Sequence, residues 1–369
     1  MQAPSALDRS FSLYLDLVRV LAALAVVIAH FGYFGILDAR QAAAMPDFGR
    51  EAVIAFFVLS GFVIAYSAEH RNRTLRDYAI ARCARLYSVV LPVLLLAFVL
   101  ASIAAGPAHA PVDDAYQLRK PWGYIPFHLL FLGDLWSFTE RPPWLLPYWS
   151  LDYEAWYYVL FGAAWYLQGR RRLLAVAVVL GVAGPRLWLL LPVWLAGVAL
   201  YRWQKTGTLP VAPARIGWLL SAAAVALWGW LDPEPALRAL ANGAWPFPAM
   251  RLGSADRVLA DYAVAAMVLV HFACARHAGF TALARAAPAI RRMAAHTFTL
   301  YLSHAVVIGA WQAALPARPG NWTDIALLAA AIVATAVCLQ PLTAALQRSL
   351  RLRLAALAGA MRWAVRPAP

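Results

Sequence analysis

Apolar segments long enough to cross a membrane recur from one end of the 369-residue chain to the other. A hydrocarbon core is about 30 Å thick, and a helix needs about 20 residues to cross it. Lipid offers the backbone no hydrogen-bond partner, so such segments form helices, which satisfy their own backbone groups. We therefore predict an all-α, polytopic membrane helical bundle of about ten transmembrane helices. They are placed at residues 12–34, 49–68, 86–105, 148–167, 172–184, 186–201, 215–231, 256–274, 296–315 and 322–346.

The composition agrees with this class, and the basic residues predict an orientation. The chain is 63% hydrophobic and 14% charged, against about 45–50% and about 25% in soluble domains. Cytoplasmic loops are enriched in Lys and Arg. With the N-terminus inside, 21 of the 32 such residues fall in inside segments and nine in outside segments. This predicts that both termini are cytoplasmic, and it explains the net charge of +14 without a nucleic-acid partner.

The domain organisation is predicted to be simple. We expect one integral-membrane domain over residues 1–369, with an outer loop at 106–147 and a basic cytoplasmic C-terminal tail at 347–369. The two short segments that meet at Gly184 and Pro185 are either separate spans or one broken hairpin. Three cysteines, an odd number, indicate neither a disulfide framework nor a Cys-based metal site, and we expect no metal.

The first apolar segment carries an acid, an arginine and a histidine: Asp16, Arg19 and His30. At about 100° per residue, Arg19 and His30 lie about 20° apart on one helix face and about 16 Å apart along its axis. Asp16 lies one turn before Arg19 on that face. Placing an ionisable side chain in lipid costs free energy, so each such residue indicates a functional role with a partner group. A structural ion pair, and a histidine that bonds between helices, are the alternative explanations.

The second and third spans contain two further motifs. In the stretch FFVLSGF, Ser60 precedes Gly61, a small pair that lets another helix approach closely. Arg82 and Arg85 lie one turn apart where the third span begins. They suit the topology of a basic inner loop, and they equally suit a phosphate-bearing ligand.

The fourth and ninth spans hold the other two motifs. The stretch WSLDYEAWYY contains Trp149, Ser150 and Glu154. Helix capping accounts for Ser150 but does not require an acid a turn further in. In the ninth span, Tyr301 and His304 are three residues apart and share one face. They are either a structural pair in the bundle interior or part of a site.

Taken in this order, the five stretches resemble the acyltransferase-3 family, bacterial membrane enzymes that acylate, and most often O-acetylate, sugars and other hydroxyl-bearing molecules. The resemblance covers nearly the whole chain. It implies a stand-alone enzyme of the bacterial inner membrane, without an appended hydrolase-like domain. The chain departs from the family pattern at Leu17, Val20 and Ile54, and Gln340 stands where many members carry glutamate.

The resemblance implies transfer of an acyl group from cytoplasmic acyl-CoA to a hydroxyl of a cell-surface or lipid-linked carbohydrate, and acetyl is the acyl group that we expect. Acyl-CoA is a co-substrate, and no cofactor is expected. The acceptor, acyl groups other than acetyl and the oligomeric state stay open. A proton-coupled secondary transporter or flippase of a glycan precursor is the alternative, although the chain shows no inverted repeat. An unrelated membrane-bound acyltransferase fold is a third possibility.

A mechanism consistent with the spacing assigns roles to these residues. Histidine titrates near neutral pH, so His30 is expected to take the acceptor's proton directly or to carry the acyl group first. Glu154 would orient His30 or bind the acceptor hydroxyl, and Tyr301 and His304 would stabilise the oxyanion or line the acceptor site. The expected catalytic residues are His30, Glu154 and Arg19; the expected acyl-CoA-binding residues are Arg82, Arg85 and Asp16; and the expected supporting residues are Tyr301, His304, Ser60, Trp149 and Ser150.

Overall fold

The computed structural model describes residues 8–105, 115–247 and 249–364, and this part of the chain contains helices and no strands. Helix accounts for 82% of the structure. The α-helices are α1 (Arg9–Tyr33), α2 (Ala39–Ala44), α3 (Gly49–His70), α4 (Leu75–Ala104), α5 (Ala115–Arg119), α6 (Pro121–Leu129), α7 (Trp149–Tyr166), α8 (Gly169–Ala183), α9 (Pro185–Trp203), α10 (Val211–Leu231), α11 (Glu234–Ala244), α12 (Val258–His277), α13 (Ala287–Ala314) and α14 (Trp322–Ala364).

Seven helices of the described ranges are long and apolar enough to cross a membrane, namely α1, α3, α4, α10, α12, α13 and α14. The pair α8 and α9 is bent by 118° and adds an eighth span if it is counted as one. All ten predicted segments are helical, but α7 carries Asp152 and Glu154 near its start and α8 has only 15 residues. The predicted all-helical membrane bundle is thus confirmed, whereas the count of ten spans and the cytoplasmic termini stay predictions.

A pair of glycines brings α3 and α9 into backbone contact. A Cβ atom on Gly61 would lie 2.0 Å from the carbonyl oxygen of Trp194, and one on Gly197 would lie 1.9 Å from that of Val58. Any larger residue would hold the two backbones apart, because neither carbonyl belongs to a side chain that can move away. The close helix approach predicted from Ser60 and Gly61 is confirmed, and its partner is α9.

The outer loop closes against the break between α8 and α9. Gly184 has a φ of +80°, which favours glycine, and the Trp136 backbone and ring lie against it. The Trp136 indole donates to the carbonyl of Gly181 at 3.0 Å. The buried Arg186 donates to the carbonyl of Phe138. The loop is therefore anchored on the bundle, although its residues 106–114 lie outside the described ranges.

The last helix is much longer than the span predicted for it. α14 runs for 43 residues and continues through Pro341 without a break. The predicted tail is therefore helical from residue 347 as far as Ala364, and its residues 365–369 lie outside the described part. At the start of α4, Arg76 donates to the carbonyl of Ala355 at 2.5 Å. This bond holds the extension of α14 beside α4.

Candidate active site

A cavity of about 380 Å³ lies among α1, α3, α4, α7, α13 and α14. Each of these helices contributes polar side chains to its wall. The predicted site residues that line it are Asp16, Arg19, Ser60, Arg82, Arg85, Ser150, Glu154 and Tyr301. Three other predicted site residues, His30, His304 and Trp149, lie outside the wall of the cavity. The structure thus brings together most of a set whose members are up to 285 residues apart in the chain.

One part of the cavity, which we call the basic end, is formed by Arg71, Arg82, Arg85 and Arg351. None of the four forms an ion pair with a carboxylate anywhere in the described ranges. Two of them lie over aromatic rings instead: Arg82 is 5.8 Å from the ring centre of Tyr158, and Arg85 is 5.7 Å from that of Phe298. Four guanidinium groups thus bring like charge to one cavity, and a bound polyanion would balance that charge.

The pair Asp16 and Arg19 lines the same cavity from α1. Arg19 Nη1 donates to Asp16 Oδ1 at 3.1 Å, which is the contact that the i, i+3 spacing predicts. About a quarter of the Arg19 side chain and a fifth of the Asp16 side chain stay exposed. The ion pair therefore leaves part of both groups open to a ligand.

Two hydroxyl groups donate to one carboxylate oxygen of Glu154, and an indole supports one of them. Ser60 Oγ donates to Glu154 Oε1 at 2.7 Å, and the Tyr158 hydroxyl donates to the same oxygen. The Trp194 indole in turn donates to Ser60 Oγ at 3.2 Å. The two hydroxyl donors therefore fix the position of the Glu154 carboxyl group on the cavity wall.

The end of the cavity away from Arg71 and Arg351, which we call the tyrosine end, is closed by Tyr301 and Ser150. Their hydroxyl oxygens lie 2.7 Å apart and both residues are buried. The Tyr301 ring packs edge-on against Phe56, with ring centres 5.7 Å apart. Its ring centre is also 6.3 Å from that of His304. Tyr301 therefore stands between the cavity and the histidines behind it.

His30 and His304 form a pair across α1 and α13. His304 Nδ1 lies 3.1 Å from the carbonyl of Leu300, so this nitrogen carries the proton and donates. His304 Nε2 then has a free lone pair and accepts from His30 Nδ1, 3.0 Å away. His30 Nδ1 also lies 2.9 Å from the carbonyl of Val26. The hydrogen-bond network therefore assigns the proton of His30 to Nδ1 and leaves Nε2 as a bare base.

The sequence predicted that Glu154 orients His30 or binds the acceptor hydroxyl, but in the structure these two residues have separate hydrogen-bond partners. The hydrogen bonds of Glu154 go to Ser60 and Tyr158, and those of His30 go to Val26 and His304. Within the described ranges no hydrogen bond joins Glu154 to His30. The residue that orients the His30 imidazole is His304, which the sequence pattern placed at the oxyanion or the acceptor.

Trp149 faces away from the cavity towards an ion pair near the outer loop. The guanidinium of Arg50 lies 4.5 Å from the Trp149 ring centre. Arg50 Nη2 also donates to Asp261 Oδ2 at 2.6 Å, and Asp261 is almost fully buried. Trp149 is therefore packed under a charged pair, and its place is beside the site, not in it.

The wall residues that sequence reasoning missed include Arg71, Gln347 and Arg351. Arg71 and Arg351 were counted among the basic residues that set topology, since loop arginines carry no further signal in one sequence. Gln347 and Arg351 are spaced by four residues, which places them on one helix face. That spacing becomes informative only if α14 is known to continue beyond the membrane.

Comparison with known proteins places the chain in a family. A family model described as an acyltransferase domain matches residues 12–341 of the 369-residue chain. Comparisons with curated proteins and with solved structures found no match. The match begins just before Asp16 and ends within α14, so it contains all five motifs that form the cavity and the histidine pair. Since it covers most of the chain, the protein belongs to the acyltransferase-3 family and is a multi-pass membrane acyltransferase.

Proposed function

We propose that the protein moves an acyl group, first of all acetyl, from cytoplasmic acyl-CoA to a hydroxyl of a cell-surface or lipid-linked carbohydrate, in the inner membrane of a bacterium. One observation supports this most: the cavity has four unpaired arginines at one end, and its other end is a tyrosine that contacts a histidine pair. This is the charge pattern that a long donor with phosphates at one end and a thioester at the other requires.

The donor would enter at the basic end, which the positive-inside pattern assigns to the cytoplasm. Its phosphates would bind the arginines, and the pantetheine arm would extend past Glu154. The carboxylate oxygens of Glu154 suit the amide N–H groups of that arm, because they accept hydrogen bonds. The thioester would then reach the tyrosine end, where the Tyr301 and Ser150 hydroxyls are available to its carbonyl oxygen.

The histidine pair would supply the base. His30 Nε2 would take the proton of the acceptor hydroxyl, and the hydroxyl oxygen would bond to the acyl carbon as the carbon–sulfur bond breaks. The proton would then pass from His30 Nε2 to the CoA thiolate, so that free CoA leaves. His304 would keep the proton of His30 on Nδ1 and would stabilise the imidazolium while it exists. A displacement of the Tyr301 side chain or of its neighbours would connect the cavity to His30.

The experiment measures two products from the purified protein in lipid nanodiscs with radiolabelled acetyl-CoA and a carbohydrate acceptor. We expect release of free CoA together with label on the acceptor. Glu154→Gln should lower kcat/KM for acetyl-CoA about tenfold or more, because the Tyr158 and Ser60 hydroxyls lose a charged acceptor. The matched control is Glu69→Gln, which removes an acid that pairs with Lys205 outside the cavity. Glycan movement across a vesicle membrane without CoA release would instead support the transporter.

A further inference from the structure

The cavity wall extends beyond the region that the family model matches. The match ends at residue 341, whereas Gln347 and Arg351 line the cavity from the continuation of α14. We propose that this extension, residues 342–364, is part of the donor site, and that Arg351 holds the phosphate end of the nucleotide thioester together with Arg71. The inference rests on the proposed function and names a binding element for it.

The position of the extension is held by contacts that do not involve the cavity. Ala355 lies one turn beyond Arg351, and its carbonyl accepts from Arg76 of α4. Further along, a Cβ on Gly359 would lie 3.8 Å from Arg76 Nη2. The extension is therefore docked along the first turns of α4, the same helix that presents Arg82 to the cavity. Both contacts lie beyond Arg351, so they hold the helix on the C-terminal side of this residue.

The charges at this end indicate the chemistry of the ligand. Arg71, Arg82 and Arg351 line one wall, and no carboxylate of the described ranges forms an ion pair with any of them. The acids nearest in sequence are already engaged, since Glu69 pairs with Lys205 and Asp77 accepts from Thr74. The two acids on the cavity wall are engaged as well: Asp16 pairs with Arg19, and Glu154 accepts from hydroxyl groups. Guanidinium forks match phosphate oxygens in geometry and charge. Phosphate is therefore the shared chemistry, and it is found in a nucleotide thioester and in a lipid headgroup.

A second feature favours the nucleotide over the lipid. The same cavity also contains Glu154 and Tyr301, and its wall combines these polar groups with apolar side chains such as Val53 and Phe56, so a ligand bound at the arginines meets a mixed lining. The two long acyl chains of a lipid would lie against the charged groups Asp16, Arg19 and Glu154 of that cavity and would remove them from water. A thioester on a pantetheine arm, which has amide groups along its length, suits such a lining.

The test uses full-length protein in nanodiscs of phosphatidylcholine alone and compares two donors, acetyl-CoA and S-acetylpantetheine, which lacks the nucleotide phosphates. Arg351→Gln should weaken CoA binding and raise KM for acetyl-CoA about tenfold, the size of one lost charge-assisted contact. It should leave the rate with S-acetylpantetheine within about twofold of wild type. Arg351→Lys should recover part of the affinity for CoA, because the charge returns without the fork.

The matched control is Arg353→Gln on the same helix. Arg353 is exposed and lies about 200° from Arg351 around the axis, so it is absent from the cavity wall. CoA affinity in this variant should stay near that of wild type. Equal losses in both variants, or an equal loss with S-acetylpantetheine, would show a structural effect and overturn the proposal.

Three further outcomes separate the possible errors. A second set of nanodiscs contains phosphatidylglycerol: if this lipid activates wild type but not Arg351→Gln, and the variant keeps its CoA affinity, the arginine holds a lipid headgroup and the proposal is wrong. If wild-type protein binds no CoA and consumes no thioester, the proposed function itself has failed. Wild-type activity with unchanged Arg351→Gln kinetics would leave the function standing and remove only the role of the extension.

Discussion

Two half-buried histidines, His30 of α1 and His271 of α12, differ in how completely their rings are bonded. His271 of α12 belongs to a closed network: Trp218 donates to the Tyr14 hydroxyl at 2.8 Å, the Tyr14 hydroxyl bonds to His271 Nε2, and His271 Nδ1 lies 2.9 Å from Ser221 Oγ. The Ser221 hydroxyl donates to the carbonyl of Trp218 and completes the set.

His30 of α1 is bonded on one side of its ring. Its Nδ1 carries both contacts, to Val26 and to His304, while Nε2 has no hydrogen bond within the described ranges. A fully satisfied buried network adds rigidity and has no free group for chemistry. A histidine with one nitrogen fixed and the other bare is arranged to accept a proton. The two histidines thus differ in one unpaired nitrogen, and this difference is the reason why we propose His30, and not His271, as the base.

The largest expected effect concerns His30, whose Nε2 has no hydrogen bond in the described ranges. His30→Ala should lower kcat by about a thousandfold, in the range that a general base contributes. The midpoint of thermal unfolding should stay within a few degrees of wild type. Both are measured on purified protein, by CoA release and by unfolding in detergent. His296→Ala is the control, because His296 is a half-buried histidine of the same bundle that does not line the cavity and whose ring bonds to its own helix at the carbonyl of Arg292. Wild-type turnover in His30→Ala would exclude His30 from the chemistry.

The next effect concerns the orienting histidine. His304→Ala should lower kcat about tenfold to a hundredfold, because the His30 ring would lose its position and the tautomer that leaves Nε2 bare. KM for acetyl-CoA should change little, since His304 does not line the cavity. Steady-state kinetics separate the two parameters. A rise in KM with unchanged kcat would instead place His304 in donor binding.

The closed network should behave in the opposite way. His271→Ala would leave the Tyr14 and Ser221 hydroxyls without their partner and should cost about 2–4 kcal/mol of stability. The kcat of the protein that remains folded should stay within about twofold of wild type. Unfolding in detergent with a denaturant series measures the first quantity, and CoA release normalised to folded protein measures the second. A loss of kcat comparable to that of His30→Ala would break the comparison.

The smallest expected effect tests whether the packing of α3 against α9 affects the position of Ser60 at the cavity wall. Gly61→Ala should cost about 1–3 kcal/mol, because the new methyl group would collide with the Trp194 carbonyl and overpack the contact of α3 with α9. The neighbouring Ser60 should shift with it and weaken its bond to Glu154. The control is Gly181→Ala on α8, where a Cβ would meet nothing within 4 Å. Equal stability of the two variants would show that α9 moves away at no cost.

Short-range features of the site were predictable from the chain alone. The spacing of Asp16 and Arg19 gave their contact, since residues three apart on a helix are neighbours. The costs of burying an acid and a histidine in lipid singled out Glu154 and His30. The Ser-Gly pair indicated a tight helix contact but could not name α9, because helix partners depend on the order in which spans pack.

Long-range features were not predictable in this way. Ser60 and Glu154 are 94 residues apart and His30 and His304 are 274 apart, and no local pattern joins them. Periodicity placed the end of the last span near residue 346, since a membrane needs about 20 residues. It gave no reason for α14 to continue along α4 and bring Arg351 to the cavity.

The sequence by itself determined that this chain is a helical membrane protein and that its interior carries charged groups, because hydropathy and the cost of burying charge act on each segment alone. Only the tertiary structure decided that His304, and not Glu154, holds the imidazole of His30. It also decided that the extension of α14 reaches the cavity. Both facts depend on which helix faces lie against each other, and that is a property of the packed bundle, since each helix face can meet several others.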